Sequence, residues 1–107
     1  MTHKEYNGWT NYETWVVKLW MDNEEGSHNY WNEQADDELN RQTDSSGELD
    51  EDTAIGNLAD SLSCWHNELL PEVQGFAADL LGAAMSEVNW YEIAKSLVDD
   101  AKERIAA

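Results

Sequence analysis

A single cysteine, Cys64, serves a chain of 107 residues. No internal disulfide is available, so the fold must rest on a hydrophobic core, and a reducing, cytoplasmic setting (the host cell) is the expectation. Proline is equally scarce, with Pro71 the one forced interruption. Basic residues are the third shortage. Six Lys and Arg stand against twenty-three Asp and Glu, for a formal net charge of −17, and none falls between Gln42 and Ala94, where eleven acids occur. Affinity for phosphates comes mainly from Lys and Arg, so direct binding to DNA or RNA is not expected. A field of this sign also repels anionic membranes and attracts basic surfaces. No stretch is long and apolar enough to span a bilayer, and "MTHKEYNGWT" has no apolar signal-peptide core. The expectation is a soluble protein that is not exported. Repeats, domain linkers and strand-like alternation are missing as well, so residues 1–107 read as a single helical domain.

What is present is aromatic and helical. Six Trp and four Tyr are a large apolar payload for so short a chain and argue for a real core. In "TNYE", Thr10 and Glu13 have the spacing of a capping box. Tyr12, Trp15, Val16, Leu19 and Trp20 then fall on one face of a first helix that runs to about Asn23 and stops near Gly26. Trp9 and Tyr6 precede this helix, placing Trp9 to staple against Thr14, Trp15 or Trp20. Ser27 caps a second helix from His28 to about Gln42, whose only apolar stripe is Trp31, Ala35 and Leu39. "TDSSGELDED" is a loop, with flexible acidic chain at about 43–52.

A third helix carries Ile55, Leu58, Leu62, Trp65 and Leu69, with Asp52, Thr53 or Asn57 as its cap. Pro71 suits the first position of a fourth. Val73, Phe76, Ala77, Leu80 and Leu81 give that helix a buried face, and Gly75 and Gly82 lie within its pattern. Asn89 and Glu92 repeat the capping logic for a fifth helix bearing Ile93, Leu97, Val98, Ala101 and Ile105, with Lys102 and Arg104 near its C-terminus. The fold class is therefore all-α, a compact bundle of four to five amphipathic helices.

The acids are not spread evenly. Residues 32–52 hold nine carboxylates and one basic residue, Arg41. Glu33, Asp36, Asp37 and Glu38 crowd the second helix, where like charges four apart oppose helix formation by a few tenths of a kcal/mol per pair, roughly. Glu24, Glu25, Asp44, Glu48, Asp50, Glu51 and Asp52 extend the sign into the flanking connections. Local repulsion kept within an otherwise well-capped sequence points to use. Carboxylates on a helix surface stand about 5–6 Å apart, and DNA carries a phosphate about every 1.7 Å of axis. A rigid acidic face can therefore imitate part of a nucleic-acid backbone, and these eleven residues are the candidate partner-binding set. The competing reading is a solvated face that only aids solubility.

Other chemistry finds less support. In "DNEEGSHNYWNE", Gly26 as the sixth position of a calcium loop puts Met21 in the first, and in "DSSGELDED" Gly47 comes fourth after Asp44. His3, His28 and His66 are too dispersed to show ligand spacing. Cys64 and His66 point to different sides of one helix, and Cys64 beside Trp65 reads as a small core residue. There is no Gly-rich phosphate loop. No enzyme activity, metal or cofactor is expected.

Two resemblances bear on function. Asp60-Ser61-Leu62 resembles the Asp-Ser-Leu of acyl carrier proteins, small acidic helical bundles, which implies a phosphopantetheine arm on Ser61. Here Ala59 replaces the usual preceding Gly, and the helix that should follow, "SCWHNELLPEV", is soon broken by Pro71. Residues 7–31 resemble small proteins of phages and mobile elements that open with an Asn-x-x-Thr-Trp-x-Val-x-Leu-Trp-x-x-Asn pattern. The matching residues are Asn11, Thr14, Trp15, Val17, Leu19, Trp20 and Asn23. This resemblance implies a setting in which small acidic proteins counter CRISPR or restriction defence by occupying a DNA-binding groove. The expected partner is thus a basic nucleic-acid-binding protein of the host, a CRISPR effector or restriction enzyme. A homodimer is compatible with this reading, as is a plain helical interaction module without mimicry.

Overall fold

Helices α1 (Tyr12–Asn23), α2 (Glu25–Gln42), α3 (Glu51–Glu68), α4 (Phe76–Ser86) and α5 (Trp90–Ala106) make up most of residues 5–106, the part of the protein described by the computed structural model. His3 lies outside the described residues. Among those described there is no β-strand, only isolated bridges between Tyr6 and Trp9 and between Thr43 and Leu49. The all-α reading holds.

The body is built from α1, α2, α3 and α5, with α3 against α5 the most extensive pairing and α2 packed on both. Three stripes enter the core where their periodicity places them: Trp31, Ala35 and Leu39; Ile55, Leu58 and Leu62; and Ile93, Leu97, Val98 and Ala101. Trp65 and Leu69, the end of the expected α3 stripe, and Ile105, the last residue of the expected α5 stripe, lie outside the core and are exposed. Cys64 is also exposed rather than buried. It lies two residues past Leu62, about 200° around the helix, which turns it away from the core.

Helix α1 buries a different face from the expected one. Thr14 and Met21 are buried and Val17 packs against the core, whereas Trp20 is 69% exposed and Tyr12 is also exposed. Both stripes have three-and-four spacing, so periodicity cannot choose between them. Hydrogen bonding chooses. The cap is Asn11, not Thr10, and its side-chain oxygen accepts from the Thr14 backbone N–H at 2.9 Å and from the Thr14 hydroxyl at 2.6 Å. Thr14 Oγ1 in turn accepts the Asn89 backbone N–H at 2.9 Å. Asn89 caps α5 as expected, accepting from Glu92 N–H at 3.0 Å. The Glu92 carboxylate does not return to its own cap but accepts from Thr10 N–H at 3.0 Å, and Asn11 Nδ2 donates to the Glu87 carbonyl at 2.6 Å. The two helix N-termini thus cap each other. Tyr6, rather than Trp9, reaches Trp15, at a ring separation of 4.8 Å, while Trp9 packs against the core.

Gly26 does not separate α1 from α2, and Ser27 is not the cap. One residue, the extended Glu24, ends α1 and begins α2. Nor is the segment before α3 an open loop. Asp44 Oδ1 accepts from Ser46 N–H, Ser46 Oγ–H and Glu48 N–H, Gly47 takes φ +90°, and Asp50 N–H donates to the Gln42 carbonyl at 2.9 Å. Asp50 is the true cap of α3, accepting from Thr53 N–H, so the helix starts before any of the three expected caps.

The expected buried face of α4 is overturned. The helix begins at Phe76 rather than Pro71, Gly75 precedes it at φ +67°, and none of its residues is buried. Phe76 is 80% and Leu80 61% exposed. Helix α4 makes no extensive packing with any other helix. The radius of gyration of 15.3 Å exceeds the roughly 13 Å of a compact chain of this size, in line with one helix held outside the body.

Candidate partner-binding surface

The structure divides the eleven candidate acids into four groups. Glu38 is buried, on the core side of α2, where Arg41 Nη1 approaches at 3.3 Å and Asn57 Nδ2 donates at 3.4 Å. It is not part of an exposed face. Asp36 pairs with Arg104 Nη2 at 2.7 Å and Glu51 with Lys102 Nζ at 3.2 Å, two bonds that tie α5 to α2 and to the start of α3. Asp44 and Asp50 are spent on the turn and the α3 cap; the Ser46 hydroxyl and then the Glu48 N–H hold the Asp44 carboxyl below its ordinary value.

The remaining six are Glu24, Glu25, Glu33, Asp37, Glu48 and Asp52. All are exposed, and none has an ion-pair partner among the described residues. Glu33 and Asp37 stand one turn apart on the outward side of α2, about 6 Å along its axis. Glu24 and Glu25 lie at the start of that helix, and Glu48 and Asp52 beyond its end. Lys18, Arg41, Lys95, Lys102 and Arg104, the Lys and Arg of residues 5–106, are each already paired with an acid. Nothing basic is left among them to neutralise the outer acids.

A second feature escaped the sequence. Between the C-terminal half of α1, the start of α2 and the end of α3 lies an open groove of about 530 Å³. Its walls include Trp20, Tyr30, Trp65 and Leu69, with Trp31 at its base. Tyr30 stacks on Trp65 at 5.4 Å, and Trp31 meets Trp65 edge-on at 6.2 Å. The Trp31 indole N–H is buried without an acceptor among the described residues. Only the count of six Trp hinted at such a site, because the groove joins residues from three helices.

Ser61 is exposed in the middle of α3, not ahead of a new helix. Among the described residues no three His, Cys, Asp or Glu side chains converge as metal ligands, and no helix is long and apolar enough to cross a membrane. No curated protein and no solved structure matches the chain. Residues 2–105, nearly the whole sequence, match the model of a family of unknown function, DUF7249. The chain belongs to the DUF7249 family.

Proposed function

We propose that this protein is a non-enzymatic inhibitor that occupies the basic groove of a host nucleic-acid-binding defence complex, a CRISPR effector or a restriction enzyme, as an acidic mimic of nucleic acid. One observation carries the reading: Glu33 and Asp37 stand exposed and unpaired on a rigid helix, while the basic side chains of residues 5–106 are bound elsewhere. Glu24 and Glu25 on one side and Glu48 and Asp52 on the other extend the same sign. Partner Lys and Arg that normally hold phosphates would make charge-assisted hydrogen bonds to these carboxylates. Long-range attraction would speed encounter and fade with salt. The resemblance of residues 7–31 to mobile-element proteins directs the choice of target class.

The test is capture of a DNA-binding complex from the host at low salt, followed by competition with DNA. Reversing Glu33 and Asp37 to Lys leaves the Asp36–Arg104 pair intact, so the fold is spared. The double variant is expected to lose the captured complex, and DNA is expected to displace the unaltered chain. Binding that survives both reversal and high salt refutes mimicry.

A second reading, a helical interaction module that uses apolar surface, is favoured by the bare face of α4.

A further inference from the structure

The chain carries two apolar features that nothing among the described residues covers. One is a ridge: Phe76 and Leu80 on α4, with Leu69 just before it, all more than half exposed. The other is the groove walled by Trp20, Tyr30 and Trp65, each 40% exposed or more. A helix that is hydrophobic all round is normally buried, and α4 has only Asp79 as a charged residue. Its own body does not bury it. The short segment 70–75 ties its start to α3, and at its end the Glu87 carbonyl is held by Asn11 Nδ2 at 2.6 Å. Turning the outer face of α4 inward would break that bond and unseat Asn89 from Thr14.

We propose that the protein forms a two-fold dimer in which α4 of each copy lies in the aromatic groove of the other.

Three observations select a second copy as the occupant. The first is nearness in the chain: Leu69 lines the groove, and only the six residues 70–75 separate it from α4. A two-fold axis passing near Leu69 sets each ridge against the opposite groove, and the same patch serves both copies, as a closed dimer requires. The second is area. With 150–250 Å² for each aromatic, the six side chains named expose on the order of 800 Å², one partner's share of a standard interface. The ridge alone supplies roughly half of that, so pairing α4 with α4 would leave both grooves bare. The third is charge. Residues 69–86 contain only two acids, Glu72 and Asp79, and no Lys or Arg, in a chain of net charge −17. This is the stretch where two such copies can approach with least repulsion, and it offers a basic partner little to bind.

The salt dependence has the opposite sign from that of the acidic face. Two chains of −17 repel, so added salt tightens this contact by screening, whereas binding of a basic partner weakens. Failure of one proposal therefore leaves the other standing.

The experiment is sedimentation of the full chain over a range of concentration at low and high salt, with far-UV circular dichroism to check the fold. The unaltered chain is expected to dimerise, more tightly at high salt. F76E and W20E alter exposed side chains outside the core, so helicity should persist, and each should weaken the dimer by roughly tenfold or more, the scale of a lost anchor in an interface. An equimolar mixture of the two retains one intact ridge–groove contact and should associate more strongly than either variant alone. Three results would each overturn the proposal. These are a monomer under all conditions, a W20E chain that dimerises like the unaltered one, and a mixture that associates no better than its components.

Discussion

The Asn89 backbone N–H donates to Thr14 Oγ1 at 2.9 Å, joining the N-termini of α1 and α5 across 75 positions. The same hydroxyl donates to the Asn11 cap, and Thr14 is 0% exposed. One buried side chain therefore serves a local helix cap and a tertiary joint. This gives a structural role to the Asn11-x-x-Thr14 part of the N-terminal pattern.

Thr14→Val keeps the shape and removes the acceptor, leaving the Asn89 N–H unpaired. The expected loss is about 1–3 kcal/mol, the cost of a buried group without its hydrogen bond. Thr14→Ser keeps the hydroxyl and should lose less. Urea unfolding of both variants decides the matter, and equal losses would mean that the bond contributes nothing.

The tryptophans should separate by burial. Trp31 is 1% exposed, and Trp31→Ala is expected to cost about 3–5 kcal/mol. Trp20 stands on the surface, and Trp20→Ala should stay within about 0.5 kcal/mol. Thermal melts at concentrations low enough to disfavour association test the difference. A large loss at Trp20 would show that α1 turns its aromatic face inward.

His66 lies between Trp31 and Trp90, at ring separations of 6.0 and 5.2 Å, with Nδ1 at 2.7 Å from the Leu62 carbonyl. Burial pushes its imidazole below the ordinary value and outweighs the carbonyl, which favours the charged form. The unfolded chain thus holds this proton more tightly. The stability from the neutral ring is complete above the unfolded value of about 6.5 and falls as pH drops from there towards the folded value. In His66→Gln the slope of stability against pH should flatten just below about pH 6.5 relative to the unaltered chain. Identical slopes would count against a half-buried neutral imidazole.

The turn before α3 depends on Gly47 at φ +90°. A Cβ there meets open space, so the cost of Gly47→Ala is backbone strain alone, about 1–2 kcal/mol. Asp44→Asn at neutral pH should weaken the turn by removing the charge that accepts from Ser46 and Glu48. Amide exchange at Glu48 and Asp50 is expected to quicken in both variants, and unchanged exchange would mean that the turn does not need them.

Much of this architecture was legible because it is local. The three-and-four spacing of Trp31, Ala35 and Leu39, of Ile55, Leu58 and Leu62, and of Ile93, Leu97 and Val98 reports which side of each helix is apolar, and those sides form the core. The Asn89–Glu92 spacing likewise announced the α5 cap. In the candidate set, the sequence pointed to the crowding of acids but could not sort them. Glu38 differs from Asp37 by one position, 100° of rotation, and that rotation puts it inside.

By itself the sequence determined the helices, the excess of negative charge and the scarcity of basic residues, since composition and short-range spacing carry all three. Only the tertiary structure decided which face of α1 is buried, which acids stay unpaired, and that α4 stands apart. Each of those depends on groups far apart in the chain meeting in space: Thr14 with Asn89, Asp36 with Arg104, Glu51 with Lys102. A helix can propose an apolar face through its period, but the face is buried only if another helix is there to receive it.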